Sequence, residues 1–268
     1  MRNKYYTYYH YSAGTSDNAR TAIKNTVREL SQKLKNSSLL ANLSIYLATD
    51  KDALPDKKSI LITETKNSKR GLTQGVTLDK FANYGRKEIV IFSEKNRWHD
   101  ITALWEPEIS SQELKNCLLH EIGHQFDFEC GNKNQNLKKQ VSKFVNKEEW
   151  NSSEETIYGK FEKQRDLSDS EEFKQAWKKD VEIMNKKDFS KLGEFSPKYS
   201  NEKNINFDDG LSKEEIEYAD VARNEEFAQL FAYAMGADDD DKNLITTCYK
   251  NCYKVIQKYI NKFLISKK

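Results

Sequence analysis

His120-Glu121-Ile122-Gly123-His124 sets two imidazoles and a carboxylate in an H-E-x-x-H pattern. On a helix, residues four apart share a face, so His120 and His124 can both reach one metal ion. Glu121, one residue along, can address a water held by that ion. Leu118 and Ile122 lie two positions before the histidines, about 200° around a helix of 3.6 residues per turn. With Leu114 they form an apolar stripe that faces a core while the histidines face away from it. The chain has 4 His and 24 Glu among 268 residues, and random placement would give the pattern about 0.005 times. The competing reading is a helix with two surface histidines and a salt-bridging glutamate. Two imidazoles and a carboxylate with one open position make the catalytic arrangement of zinc, so Zn2+ is the cofactor expected.

The third ligand must come from elsewhere. Position 130 is Cys rather than the histidine of a metzincin pattern, and position 144 is Phe rather than the glutamate of a thermolysin-like one. Glu148 and Glu149 lie on a polar stretch with no apolar face to hold them. The remaining candidate is the stretch from Asn224 to Phe231. There Phe227, Leu230 and Phe231 can anchor a helix, while Glu225, Ala228, Gln229 and Ala232 form another face whose small residues allow close packing.

The elements that must position these residues show in the periodicity. A helix is expected from Asp17 to Lys35, capped by Asp17 or Asn18, with Ile23, Val27, Leu30 and Leu34 on one face. Strands are expected at Leu43 to Ala48, Ser59 to Thr63 and Glu88 to Ser93. Ser110 or Ser111 can cap the metal helix, with Glu113 early in it. Further helices fit Leu137 to Val145, Asp169 to Lys187 (Phe173, Trp177, Val181, Met184), Asn224 to Met235 and Asn243 to Ile265. The fold class expected is α+β, a single domain over 1–268. Its 1–109 part is a helix plus a small sheet, and its 110–268 part holds the metal-site helices. The polar stretch at about 146–211 reads as an insertion over the surface.

Composition sets the bounds. With 37% hydrophobic, 32% charged and 12% aromatic residues, 3 Pro and 10 Gly, the chain suits a globular protein with a sizeable core. Lys plus Arg is 44 and Asp plus Glu is 42, a net charge of +2, which argues against a nucleic-acid or anionic-membrane partner. No run reaches the ~20 apolar residues of a membrane span, and the first residues lack the apolar core of a signal peptide. Four Cys are too few for a disulfide scaffold. Cys248 and Cys252 read as half-buried thiols on one helix face, with a redox or metal pair as the alternative. Asp238 to Asp241 reads as a solvated loop and helix start, with a calcium site as the alternative.

H-E-[IF]-G-H-x-x-D, carried by His120 to Asp127, and Y-x6-E-x2-A-x2-F, carried by Tyr218 to Phe231, resemble the catalytic domain of anthrax lethal factor and the related clostridial Pro-Pro endopeptidases. The resemblance implies a zincin-type fold with His120, His124 and Glu225 as zinc ligands. It also implies Glu121 as general base and Tyr218 as the residue that stabilises the transition state. Gln229 stands where lethal factor has a second glutamate on the ligand helix, so a contact behind the ligands differs. The gap between His124 and Glu225 is longer than is usual in that family. Asp127, one turn beyond His124, reads either as an acceptor for an imidazole N–H or as a plain surface carboxylate.

The function expected is therefore a zinc-dependent endopeptidase acting on a protein or peptide, as a monomer. The resemblance further implies a bacterial toxin or effector, secreted or delivered into a host cell. Two alternatives stand beside it: a repressor-cleaving H-E-x-x-H regulatory protease, and a catalytically silent zinc-stabilised binding module. Glu88 to Ser93 reads either as a sheet edge to which substrate adds as a strand or as a core strand. Trp98, His99 and Trp105 read either as pocket or as core, and neither His99 nor His10 has the spacing of a ligand.

Overall fold

A computed structural model describes residues 6–34, 37–49, 75–77, 87–93, 109–132, 166–184 and 213–265. The expected strand Ser59 to Thr63, the expected helix Leu137 to Val145, and Trp98, His99 and Trp105 lie outside the described residues. The chain divides into two compact units: Met1–Gln125 with Met235–Asp239 and Leu264–Lys268, and Phe126–Ala234 with Asp240–Phe263.

The first unit is built on a small, mainly parallel sheet. Strands β1 (Thr7–Tyr11), β2 (Leu43–Ala48), β3 (Gly75–Thr77) and β4 (Lys87–Phe92) stand in the order β1-β2-β4-β3. β1, β2 and β4 are parallel, and β3 runs antiparallel to β4. Parallel neighbours need a crossover, and helix α1 (Asp17–Lys33) supplies the one between β1 and β2. Ser16 caps α1 rather than Asp17 or Asn18: its hydroxyl accepts the Ala19 N–H at 3.1 Å, and Asp17 instead sits in the first turn, where it favours the helix dipole. The expected apolar face is buried, and Leu34 closes the helix two residues short of its expected end.

β4 is a core strand. It is paired on both sides, to β2 and to β3, and Ile89, Val90 and Ile91 are fully buried. A continuous apolar run marks a strand covered on both faces, so the edge reading of Glu88 to Ser93 is corrected. Among the described strands β1 and β3 form the edges. On β1, His10 stacks on Tyr46 of β2 with ring centroids 4.3 Å apart.

Met235–Asp239 completes this unit. Lys33, in the last turn of α1, donates its Nζ to the Met235 carbonyl at 2.6 Å. The Asn116 side chain clasps the Asp238 backbone, accepting its N–H at 3.0 Å and donating to its carbonyl at 2.8 Å. Gly236 turns the chain between these contacts at φ +111°, a left-handed conformation that a Cβ disfavours.

The second unit is helical around an aromatic core. Phe126 stacks on Phe231 at 4.9 Å between ring centroids, and Phe173 meets Phe227 edge-on at 5.1 Å. Helix α3 (Glu171–Met184) is capped by Ser170, whose Oγ accepts the Phe173 N–H at 3.2 Å, and buries Phe173, Trp177, Val181 and Met184 as expected. The long helix expected over Asn243 to Ile265 is instead interrupted. α5 (Lys242–Cys248) and α6 (Lys250–Ile260) meet at Tyr249, whose ψ is +43°, and a π-turn spans Asn261–Ile265. The new helix start is satisfied by Asp180 of α3, which accepts the backbone N–H of Asn251 at 3.2 Å and of Cys252 at 2.9 Å. Cys248 and Cys252 thus lie on different helices, both buried and neither in a disulfide. Asp238 to Asp241 are exposed, as a solvated loop should be. No helix among the described residues is long and apolar enough to cross a membrane.

A methyl group at Gly236 would stand 2.9 Å from Lys33 Nζ. Gly236→Ala is expected to destabilise the chain by about 1–2 kcal/mol through the left-handed backbone alone. A lowered urea midpoint with unchanged m-value checks this.

Candidate metal centre

The H-E-x-x-H residues lie on helix α2 (Ser111–Asn132). Ser110 is its cap: Glu113 donates its N–H to Ser110 Oγ at 3.2 Å, and Glu113 Oε2 accepts the Ser110 N–H at 2.9 Å. This reciprocal pair satisfies two donors that the first turn would otherwise orphan. Leu114, Leu118 and Ile122 are buried as the stripe requires. Leu119, Phe126 and Cys130 are buried too, so the helix is enclosed around most of its circumference.

His120 and His124 remain half-buried, and their Nε2 atoms converge to 3.2 Å with the rings nearly perpendicular at 83°. Two nitrogens bound at about 2.0–2.1 Å to a tetrahedral zinc stand about 3.3–3.4 Å apart, so the pair is already near ligand spacing. Glu225 joins them: one donor atom from each of His120, His124 and Glu225 lies within 4.8 Å of the others. This group can hold a metal ion, and two imidazoles with one carboxylate suit zinc.

Glu225 lies on helix α4 (Lys213–Met235), which begins eleven residues before the expected Asn224. Phe227, Leu230 and Phe231 are fully buried, as are Ala228 and Ala232 on the face expected to carry the ligand. Of the adjacent glutamates, Glu225 is half-buried, whereas Glu226 is 2% exposed. Burial, and then the nearby Asp180, push the Glu226 carboxyl well above the usual carboxylate range. Gln229 sits one turn after Glu225 and is half-buried. Tyr218 lies on α4 two turns before Glu225, about 10.5 Å along the axis at 1.5 Å per residue. The Tyr218 side chain is outside the described residues.

Glu121 is 5% exposed. Its carboxylate is felt at Cys117, one turn earlier, whose thiol is pushed well up first by burial and then by Glu121.

Asp127 is neither a surface carboxylate nor, among the described residues, an imidazole partner. It is buried, and its Oδ1 accepts the Ser168 N–H at 2.7 Å. Ser168 in turn donates its hydroxyl to Asn224 Oδ1 at 2.7 Å, and its carbonyl accepts from Arg223 Nε at 2.9 Å. Arg223 also pairs with Asp169. Ser168 and Arg223 had no local signal in the sequence, and Ser168 belongs to the stretch read as a surface insertion. From Leu167 to Met184, where the sequence predicts a helix within that stretch, apolar residues recur at helical spacing and are buried.

Burial, and next the Asp166 carboxylate, raise the Asp127 pKa well above its usual value, against the Ser168 hydrogen bonds that lower it. The folded chain therefore holds this proton more tightly than the unfolded chain does. The stability this contributes is complete below the unfolded carboxylate value of about 3.9 and is lost as pH rises through the folded value. Asp127→Asn keeps an acceptor for Ser168 and removes the titration. In urea unfolding of the metal-free chain, the variant is expected to show a shallower loss of stability with rising pH above about 4. An unchanged slope would contradict it.

Compared with protein-family models, with curated proteins and with solved structures, the chain matches none.

Proposed function

We propose that the chain is a zinc-dependent endopeptidase of the lethal-factor type. The observation that carries this reading is the convergence of His120, His124 and Glu225 within 4.8 Å. Two of these ligands share a helix turn with a buried carboxylate, Glu121. A zincin-type arrangement is the finer fold reading that accompanies it.

Zinc, when bound, would bring the pKa of a water toward neutrality and polarise a peptide carbonyl. The residues do the rest. His120 and His124 supply neutral imidazole ligands from one helix face, and Glu225 adds the negative charge that offsets part of the dication. Glu121, beside His120, takes the proton from the attacking water and returns it to the leaving amine. Tyr218, by the same resemblance, donates its O–H to the oxyanion that forms on the attacked carbonyl.

The substrate is a protein or peptide that binds in extended form. With β4 internal, a peptide adding as a strand would use an edge of the sheet, β1 or β3. A secreted toxin or an effector delivered into a host cell is the biological setting that the resemblance implies.

The test is mass-spectrometric detection of cleavage in a proteome-derived peptide library. The zinc-loaded parent is expected to cut, and Glu121→Gln to retain zinc without cutting. Cleavage by Glu121→Gln at the parental rate would overturn the mechanism. Tyr218→Phe is expected to bind zinc normally and to lose turnover by about 10²–10³-fold, the size of one oxyanion donor. Unchanged turnover would remove Tyr218 from the reaction.

A further inference from the structure

Three polar groups of one fully buried residue, Ser168, are each engaged, and in different directions. Its N–H donates to Asp127 Oδ1 at 2.7 Å, its carbonyl accepts Arg223 Nε at 2.9 Å, and its hydroxyl donates to Asn224 Oδ1 at 2.7 Å. Asp127 follows His124 by three residues on α2, and Arg223 and Asn224 directly precede Glu225 on α4. We propose that Ser168 is a positioning residue for the metal centre, and that the turn around it, Leu167–Asp169, is a brace that sets the roll of the helix carrying the third ligand. This rests on the metal-site reading above.

The geometry is that of a cylinder held at two points. Phe227 and Phe231 pack α4 into the aromatic core, but apolar contact is non-directional and tolerates rotation about the helix axis. Consecutive residues stand about 100° apart on a helix. Anchoring Arg223 and Asn224 to the same buried residue therefore fixes the angle of α4, and Glu225 is carried about 100° further to its place. A one-residue error would present Glu226 or Asn224 instead. The ion pair of Arg223 with Asp169, 5% exposed on the arginine, makes the anchor costly to release because it would leave a buried charge alone. Asp127 fastens the same brace to the helix of the two histidines. None of these residues touches the metal, so the effect passes through Glu225.

The test reads metal affinity and ligand geometry rather than catalysis. Zinc dissociation constants of the metal-free chain, measured by competition with a chromophoric chelator, are compared for the parent, Ser168→Ala, Asn224→Ala and the double variant. Each single change is expected to weaken zinc binding by about 10-fold or more, the usual size for groups that orient ligands. The double variant is expected to be no weaker than the worse single one, because both changes remove one bond. The visible absorption of the cobalt(II)-saturated chain is expected to differ between Asn224→Ala and the parent, which a loss of stability alone would not produce. Asn224 is half-exposed, so its truncation leaves no buried cavity and carries the test by itself if Ser168→Ala does not fold. Unchanged zinc affinity and cobalt spectrum in Asn224→Ala overturn the brace, as do single losses that simply multiply in the double variant. His124→Ala separates the two levels. If it binds zinc as tightly as the parent, the metal-site reading falls and the brace with it. If it loses zinc while Asn224→Ala behaves as the parent, only the brace falls.

Discussion

The helix that carries both histidines has to be enclosed on nearly every side and still leave one seam where two imidazoles converge. Leu114, Leu118, Leu119, Ile122, Phe126 and Cys130 meet the first demand. The second is met by the four-residue spacing, which brings Nε2 of His120 and His124 to 3.2 Å without any loop to order. Enclosure has a cost, because several polar side chains in the middle of α2 are also taken from water. Glu121, Gln125 and Asp127 are all buried on α2. Asp127 finds a backbone N–H, while both polar atoms of the Gln125 side-chain amide have no hydrogen-bond partner among the described residues. A polar helix end adds to the demand, and the reciprocal Ser110–Glu113 pair meets it before the enclosed part begins.

Within the second unit, distance and angle are set by different forces. Apolar burial holds the helices together, with each enclosed phenylalanine contributing about 1.5–3 kcal/mol of transfer free energy. Hydrogen bonds in a medium of low dielectric are directional and strong, and they choose one orientation among the many that such packing allows. Asp180 plays a comparable part at the opposite side of α3 from solvent, where the break at Tyr249 would otherwise bury two unmatched donors. There the Asp180 side-chain oxygens and the backbone N–H groups of Asn251 and Cys252 satisfy one another.

Much of this was legible in the sequence, wherever the information is local. The faces of α1, α2 and α3, the strand Leu43–Ala48 and the body of β4 follow from side-chain periodicity, and the apolar anchor Phe227, Leu230 and Phe231 marks the helix on which Glu225 lies. Local patterns failed where partners are remote. Thr7–Tyr11 holds three tyrosines with Thr7 and His10 and no aliphatic residue, so β1 carries little apolar signal although it pairs along its whole length with β2. The cap of α1 is Ser16 rather than the expected Asp17 or Asn18, because Ser, Asp and Asn all cap well and only the backbone decides between neighbours. The amphipathic pattern over Asn243 to Ile265 is real, but a helix period alone does not reveal the break at Tyr249. Nothing around Ser168 distinguishes it from an ordinary polar turn, because what makes it buried is Asp127, 41 residues away, and Asn224, 56 residues away.

Those two separations have a consequence for how the chain can vary. In the chain-entropy description, the cost of bringing two points together grows only with the logarithm of the intervening length, about 0.6 kcal/mol for each doubling. The number of residues separating Ser168 from Asp127 and from Asn224 therefore weighs little on the cost of bringing them together. Position 168 has no such freedom, since shifting it by one residue would exchange which group meets each partner. Drift in length with a pinned serine is the pattern that a buried three-way junction leaves in a lineage.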